Sequence, residues 1–229
     1  MLSNLLVYLA KNVPLFIQDF DNNVPESYNV MIIAIDGYEA NEKERVGIGR
    51  YSYEILNHMY QNLRTQNSEP RTQSRTQFRV YLPNQPLPDM PEETSWWQYR
   101  VITPKRFWTL FRLPLALGTD RPKADVVFSP THYVPRFTRL PRVMSIMDVS
   151  YLQYPELFRP GDLHQLVHWT AYSVAHATRI MTISEFTKNA IIKAYGVPEE
   201  RVVVTYPGVT TMSNVKCQMP NVRERYGIE

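Results

Sequence analysis

Cysteine, net charge and long apolar runs are all scarce in this sequence of 229 residues. The single cysteine, Cys217, cannot form an internal disulfide or build a thiolate metal cage, so a reducing, cytoplasmic compartment is expected. The 25 basic and 22 acidic residues leave a net charge of +3, which excludes the strongly basic surface of a typical nucleic-acid-binding protein. The longest apolar runs, VMIIAI and LLVYLA, have six residues each, whereas a membrane-spanning helix needs about 18. What is left is an ordinary globular composition, with 44% hydrophobic residues.

Short β-rich runs alternate with helical patterns from Val30 onward, which is typical of a parallel sheet covered by helices. The first run, VMIIAID, is apolar up to its last residue, as expected for a strand buried on both faces. We therefore predict an α/β protein with a Rossmann-like, doubly wound, mainly parallel sheet. Seven runs are predicted to be its strands: VMIIAID (30–36), FRVYL (78–82), YRVI (99–102), ADVVFS (124–129), RVMSIM (142–147), RIMTI (179–183) and RVVVTY (201–206).

Three segments have the periodicity of amphipathic helices. The first follows Gly49 in ERVGIGRYSYEIL, the second is GDLHQLVHWTAYSVAHAT with Asp162 as its predicted N-cap, and the third is EFTKNAIIKAYG. Ser184 is predicted to cap the third helix and Gly196 to end it. A further segment, KRFWTLFRLPLAL, is apolar and basic, and Pro114 should kink or end any helix there. Packing onto the sheet is favoured for this segment, and contact with a membrane surface stays open.

The domain organisation follows from these elements. Residues 29–209 are predicted to form one domain, preceded by an extension, residues 1–28, whose order the sequence does not determine. The extension has open alternatives, which are packing on the domain, contact with a membrane surface, or a start site upstream of the true one. Residues 210–229 are interpreted as a tail leading to a carboxy-terminal domain. The polar RTQ repeats between 64 and 77 predict a surface loop.

Two of the eight glycines, Gly47 and Gly49, lie one residue apart before the first predicted helix. In a strand-loop-helix unit, ligands bind at the carboxyl end of the strand, and the free amides of a helix start attract anions. Glycines at this point let a ligand approach the main chain without meeting a side chain. The dinucleotide-binding fingerprint is incomplete because Ser52 replaces its third glycine, so a nicotinamide or flavin cofactor is not favoured. A tight turn without a ligand stays an alternative.

Other catalytic patterns are incomplete. His164 and His168 lie four residues apart on one predicted helix, but Gln165 stands where a helical zinc protease has its glutamate. Two histidines on the polar side of a helix need no metal, so no metal site is predicted. A GxSxG motif is absent from the sequence.

Five segments, in this order and spacing, resemble the amino-terminal domain of retaining, two-domain "GT-B" glycosyltransferases of the family 4-like group. They are GIGRYSYEIL, ADVVFSPTHYVP, RVMSIMDVSYLQYPELF, ATRIMTISEFTKNAIIKAYGVPEERVVVTYPGV and NVRERYGIE, and they cover about residues 30–229. The resemblance implies a transferase that moves a sugar from a nucleotide-sugar donor to a glycan or glycolipid acceptor, as in polysaccharide biosynthesis. The nucleotide sugar is then a substrate, and no cofactor is expected.

The resemblance also implies where the substrates bind. His132 of SPTHYVP and the strand-end Asp148 are expected on the acceptor side of the cleft, with Asp148 as the candidate catalytic residue. Met147 stands where the family usually has a histidine that touches the donor sugar, and Ser184 and Glu185 of ISEF begin the helix beside it. The donor phosphate or sugar is expected at the glycine segment, formed by Gly47, Ile48, Gly49, Arg50 and Tyr51.

Two departures from the family pattern affect the expected activity. Met147 cannot supply the polar hydrogen bond of a histidine, so either the sugar is held differently or activity is reduced. The family binds its nucleotide mainly through a carboxy-terminal Rossmann domain, which carries paired glutamates and the basic residues that stabilise the leaving diphosphate. The chain alone is therefore expected to be inactive and to need that domain or a partner chain.

Alternative functions and locations stay open. A non-catalytic Rossmann-like binding module is the main alternative, because one fold hosts many functions. A dinucleotide-dependent oxidoreductase is a weaker one. The expected location is the cytoplasm, and peripheral contact with the inner face of the membrane stays open.

Overall fold

The computed structural model describes residues 30–67 and 76–207. The predicted extension 1–28, the tail 210–229 and the middle of the polar 64–77 segment lie outside the described residues. The strands form one sheet in the order β3-β2-β1-β4-β5-β6-β7, and every pairing is parallel. This confirms the predicted Rossmann-like, doubly wound α/β fold. The strands are β1 (Met31–Asp36), β2 (Thr76–Leu82), β3 (Trp97–Val101), β4 (Val126–Ser129), β5 (Arg142–Ile146), β6 (Arg179–Thr182) and β7 (Val202–Val204).

The helices lie on both faces of this sheet, as the all-parallel connections require. The α-helices are α1 (Ile48–Asn67), α2 (Leu113–Thr119), α3 (Ser150–Gln153), α4 (Pro160–His176) and α5 (Glu185–Tyr195). A π-helix, Trp108–Arg112, runs directly into α2. Short 3₁₀ turns occupy Glu39–Asn41, Pro155–Leu157 and Glu199–Arg201.

The two faces of β1 show how the core is divided. Ile33 and Ile35 belong to the buried cluster that contains Leu56 and Met59 of α1, whereas Ile32 belongs to the cluster on the other face. Successive strand residues point to opposite faces, so a strand buried on both sides must be apolar throughout. A third buried cluster packs α4 and α5 on the β5-β6 half of the sheet.

The predicted caps are confirmed for helix α5 and wrong for helix α4. Ser184 is the N-cap of α5, and its Oγ accepts a hydrogen bond from the Thr187 amide at 3.1 Å, as predicted. Gly196 ends α5 in the left-handed conformation, also as predicted. The predicted cap of α4 at Asp162 is wrong, because the N-cap is Arg159 and Asp162 lies within the first turn. Pro160 sets this earlier start, since its fixed φ and missing amide suit the first helical position.

The KRFWTLFRLPLAL segment packs onto the sheet, as the sequence analysis favoured. Trp108, Leu113 and Leu117 are all buried in the cluster that covers this face of β1 and β4. Pro114 falls in the first turn of α2, directly after the change from π- to α-helix, and it has no amide to donate to the preceding π-helical turn. No helix within 30–67 and 76–207 is long and apolar enough to cross a membrane.

Candidate functional site

The candidate site lies at the edge of the sheet where the parallel strands end. The connection from β1 leads toward β2 and that from β4 toward β5, so the order reverses between these two neighbours. In open α/β sheets, ligands bind outside the carboxyl ends of the strands at such a switch point. The segments predicted to bind substrate follow β1, β4, β5 and β6, and all of them therefore reach this edge.

The two glycines do different things in the structure. Helix α1 begins at Ile48, so Gly49 lies in its first turn and not before the helix as predicted. Gly47 has φ +51°, and the space that a side chain would fill there is open. A Cβ on the buried Gly49 would lie 3.2 Å from the carbonyl oxygen of Glu39. Gly47 is therefore the glycine that leaves the main chain accessible, whereas the chain's own backbone fills the place beside Gly49.

The first turn of α1 offers free amides at this edge. The amides of Gly49 and Tyr51 donate to the carbonyls of Val46 and Gly47, both at 3.0 Å. The amides of Ile48 and Arg50 have no hydrogen-bond partner in the described part of the chain. Helix starts leave such donors unpaired, and the helix dipole adds partial positive charge to them. This turn can bind an anionic group.

Side chains next to this turn fix its position. The Arg50 guanidinium forms an ion pair with Glu54 on the exposed side of α1. The Ser52 hydroxyl is buried and donates to the carbonyl of Pro130 at 3.0 Å, and the Tyr51 hydroxyl donates to Ser145 Oγ at 3.3 Å. The start of α1 is thereby tied to the ends of both β4 and β5. The Tyr51 ring packs against the core, and burial raises the pKa of its hydroxyl.

The loop between β1 and α1 is held from the side. Asn41 is buried, donates to the carbonyl of Gln85 at 2.9 Å and accepts from the amide of Leu87 at 2.9 Å. Arg45 donates through Nε to the carbonyl of Ala40 at 2.6 Å and forms a two-point ion pair with Asp89. The Arg45 guanidinium holds the pKa of Asp89 below its usual range. These contacts keep the segment before Gly47 in place against the β2-β3 loop.

His132 follows β4 and carries one of the unpaired buried polar atoms at this edge. Its Nε2 is buried and has no hydrogen-bond partner within 30–67 and 76–207. Burial lowers the pKa of the imidazole, against the opposing charge of Asp148, so the ring is neutral near pH 7. A buried polar atom without a partner costs free energy, and such an atom is often completed by a ligand.

Met147 and Asp148 follow β5, and both form hydrogen bonds with nearby residues of the domain. Oδ1 of the exposed Asp148 accepts from the Ser150 amide at 2.9 Å and from its hydroxyl at 2.5 Å, which fixes the start of α3. The carbonyl of Met147 accepts from Thr187 Oγ1 at 3.3 Å. The β5 end is thereby joined to the first turn of α5, where Ser184 is the cap and Glu185 is exposed. The structure thus brings the predicted residues after β5 and β6 together.

Asp36 is a residue of this edge that the sequence reading missed. It ends β1 at the switch point and is only 3% exposed. Its carboxylate accepts hydrogen bonds from Trp108 Nε1 at 2.9 Å and from the Tyr38 amide at 3.2 Å. Burial raises its pKa to about 7, despite those two hydrogen bonds. The signal was present in VMIIAID, where one carboxylate ends a strand that is otherwise apolar. Strongly shifted pKa values cluster at functional sites.

His164 and His168 lie away from this edge on α4. Both side chains are exposed, and their ring centroids are 4.3 Å apart. No third histidine, cysteine or carboxylate joins them in the part of the chain that the structure describes. The pair therefore gives no support to a metal centre.

The chain matches a known protein family. The family model described as Glycosyltransferase Family 4 matches residues 47–212, which is most of the described domain. The match begins at Gly47 and includes the segments after β4, β5 and β6 that meet at the candidate site. No curated protein matches the chain.

Proposed function

Because the chain belongs to glycosyltransferase family 4, we propose that it is the acceptor-side, amino-terminal half of a retaining GT-B enzyme. The reaction transfers a sugar from a nucleotide-sugar donor to a glycan or glycolipid acceptor. The acceptor oxygen bonds to the anomeric carbon, the bond to the nucleoside diphosphate breaks, and the hydroxyl proton is released. The proposed site of action is the cytoplasm, which suits the single cysteine.

The observation that carries this proposal is the convergence of the matched segments on free hydrogen-bonding groups at one edge. Within the described residues, the amides of Ile48 and Arg50 are unpaired at the start of α1, and the neutral His132 has an unpaired Nε2 after β4. In the proposal, the amides bind a donor phosphate or sugar oxygen, and His132 bonds a sugar hydroxyl. Asp148 is the proposed acceptor-side carboxylate, through the oxygen that Ser150 does not occupy.

We further propose that a second Rossmann domain completes the site, either in the same protein or on a partner chain. Stabilising the departing diphosphate needs several preorganised donors or cations. Arg50 is the cation of the glycine segment, and it is paired with Glu54. In the proposal, the described half supplies positioning groups, and the second domain supplies the charge that balances the diphosphate.

The test compares His132→Phe with His164→Phe in the full chain, assayed together with a family 4 carboxy-terminal domain. Phenylalanine resembles histidine in shape and removes the buried nitrogen, so His132→Phe should fold as stably as the parent. It should reduce sugar transfer at least tenfold, about 1.4 kcal/mol of transition-state stabilisation. The control at the exposed His164 should leave transfer unchanged.

Failure has two distinguishable forms. If the parent chain with the added domain neither transfers sugar nor hydrolyses common nucleotide sugars, the transferase proposal is wrong. If the parent is active and His132→Phe equals it, the transferase proposal stands and the role of His132 is wrong.

A non-catalytic binding module is the second candidate, favoured by one observation. The residue after β5 is Met147, whereas the resemblance implies a histidine at this position. The carbonyl of Met147 accepts a hydrogen bond from Thr187, but its side chain offers no imidazole to a donor sugar. Calorimetric binding of a nucleotide sugar or glycan without turnover, in the presence of the added domain, would support this candidate.

A further inference from the structure

An exposed aromatic patch lies next to the candidate site and has no role in it. We define it as Phe107, Phe111, Leu115 and Phe137, which are 53%, 58%, 63% and 77% exposed. The rings of Phe107 and Phe111 are 6.2 Å apart, and those of Phe111 and Phe137 are stacked at 6.3 Å. The Arg136 amide donates to the Thr109 carbonyl at 3.0 Å, which ties the two loops together. Contiguous exposed apolar groups of this kind mark interaction surfaces.

The patch exists because one segment is apolar on two sides. Trp108, Leu113 and Leu117 face the sheet and are buried, so the core requirement of this segment is already met. Phe111 and Leu115 follow one another by about one helical turn and stay in solvent. Their apolar character therefore has no explanation in the packing of the residues that the structure describes.

Backbone strain is present at two of the aromatic residues. Phe107 has φ 58° and Phe137 has φ 53°, and they are the non-glycine residues with positive φ in the described ranges. A bulky side chain is unfavourable in this conformation, which glycine and asparagine adopt more readily. Strained conformations persist where a function requires the particular side chain.

The two segments that carry the patch are rich in basic residues, one of which, Lys105, is ion-paired with Glu42 at 3.9 Å. Segments 103–117 and 134–142 contain six of the 25 basic residues and none of the 22 acidic ones. The Arg106 guanidinium lies 4.9 Å from the Phe107 ring centroid, and that of Arg136 lies 4.3 Å from the Tyr172 ring centroid. Aromatic rings surrounded by cations suit the interface of a membrane, where rings enter the headgroup layer and cations meet anionic lipids.

We propose that the aromatic patch docks the protein on an anionic lipid surface. The patch adjoins the candidate site, because Trp108, next to Phe107, donates to Asp36 at the end of β1. Docking would therefore bring the carboxyl edge of the sheet close to the headgroups. The inference does not depend on sugar transfer, and its test needs no substrate.

The experiment is co-sedimentation of the full chain with vesicles of phosphatidylcholine alone or mixed with phosphatidylglycerol. The parent should bind the mixed vesicles and not the zwitterionic ones, and binding should weaken as salt screens the charges. The double variant Phe107→Asn with Phe137→Asn should bind at least about tenfold more weakly. Asparagine accepts the positive φ at both positions, so this variant should be at least as stable as the parent.

Matched controls separate the patch from general surface effects. Phe186→Asn removes a phenylalanine that is 78% exposed on α5, and it should bind the mixed vesicles like the parent. Arg106→Gln and Arg139→Gln should each weaken binding about fivefold, whereas Lys193→Gln on α5 should not. The proposal is overturned if the parent ignores mixed vesicles, or if the double asparagine variant binds them as well as the parent does. If the parent binds no vesicles but self-associates, and the patch variants abolish that self-association, the partner of the patch is protein and the proposal is again overturned.

Discussion

Replacing Asp36 by asparagine should make the protein more stable at alkaline pH and leave its stability nearly unchanged in acid. The carboxyl of Asp36 is buried at the end of β1, and burial raises its pKa from 3.8 to about 7. The folded protein therefore holds a proton on Asp36 between pH 4 and 7 that the unfolded chain releases. Stability falls with rising pH wherever the folded state binds more protons, so this carboxyl lowers stability across that window.

The size of the effect follows from the shift in pKa. A change from 3.8 to about 7 is about three pKa units, and each unit corresponds to about 1.36 kcal/mol. Above pH 7 the parent must bury a carboxylate, which costs about 4 kcal/mol relative to the protonated form. Asparagine keeps a carbonyl oxygen for Trp108 Nε1 and carries no charge. The difference in unfolding free energy between variant and parent should therefore grow by about 4 kcal/mol from pH 4 to pH 8.

The assay is urea unfolding of both proteins at several pH values, followed by circular dichroism. His132 acts in the opposite direction, because its lowered pKa makes the folded state lose stability as pH falls below 6.5. This contribution is common to both proteins and cancels in the difference. Asp162→Asn, at an exposed carboxyl of α4, is the control and should shift stability by less than about 1 kcal/mol. A difference between parent and Asp36→Asn that stays flat from pH 4 to pH 8 would refute the reasoning.

Three smaller changes test the groups that position the candidate site, each by urea unfolding. Gly47→Ala should cost about 1–2 kcal/mol because φ is +51°, and Gly47→Asn should cost less; equal stability of Gly47→Ala and the parent would argue against the left-handed turn. Ser184→Ala removes the cap of α5 and should cost about 1 kcal/mol, with no effect expected if the Thr187 amide finds another partner. Ser52→Ala should cost about 1–3 kcal/mol, since it leaves the buried Pro130 carbonyl without its donor; a neutral result would mean that water reaches this oxygen.

Local sequence signals predicted the elements of the fold well and their ends less well. All seven predicted strands form. The inner strand β1 is visible as a continuous apolar run because both its faces are buried, whereas the edge strand β3 alternates buried and exposed residues. The end of α5 was also predictable, since Ser184 and Gly196 each act through contacts within a few residues. The cap of α4 was misplaced because Asp162 is a strong cap residue by type, while Pro160 two positions earlier fixes the start.

The candidate site was only partly predictable, because its distinctive features depend on contacts between distant residues. The different roles of Gly47 and Gly49 depend on where the Glu39 carbonyl lies, and spacing alone cannot give that. The pKa of Asp36 is raised by its burial in the folded domain, and its hydrogen-bond partner Trp108 lies 72 positions along the chain. The roles proposed for His132 and Asp148 in binding and transfer stay predictions.

The contact between Trp108 and Asp36 gives the protein an intrinsic optical reporter. Of the four tryptophans in the sequence, Trp108 is the one whose indole donates to the carboxyl with the raised pKa. Its emission should respond when that carboxyl gains or loses its proton. The protonation state of Asp36 can therefore be followed in the unlabelled protein by its fluorescence, without attaching a dye.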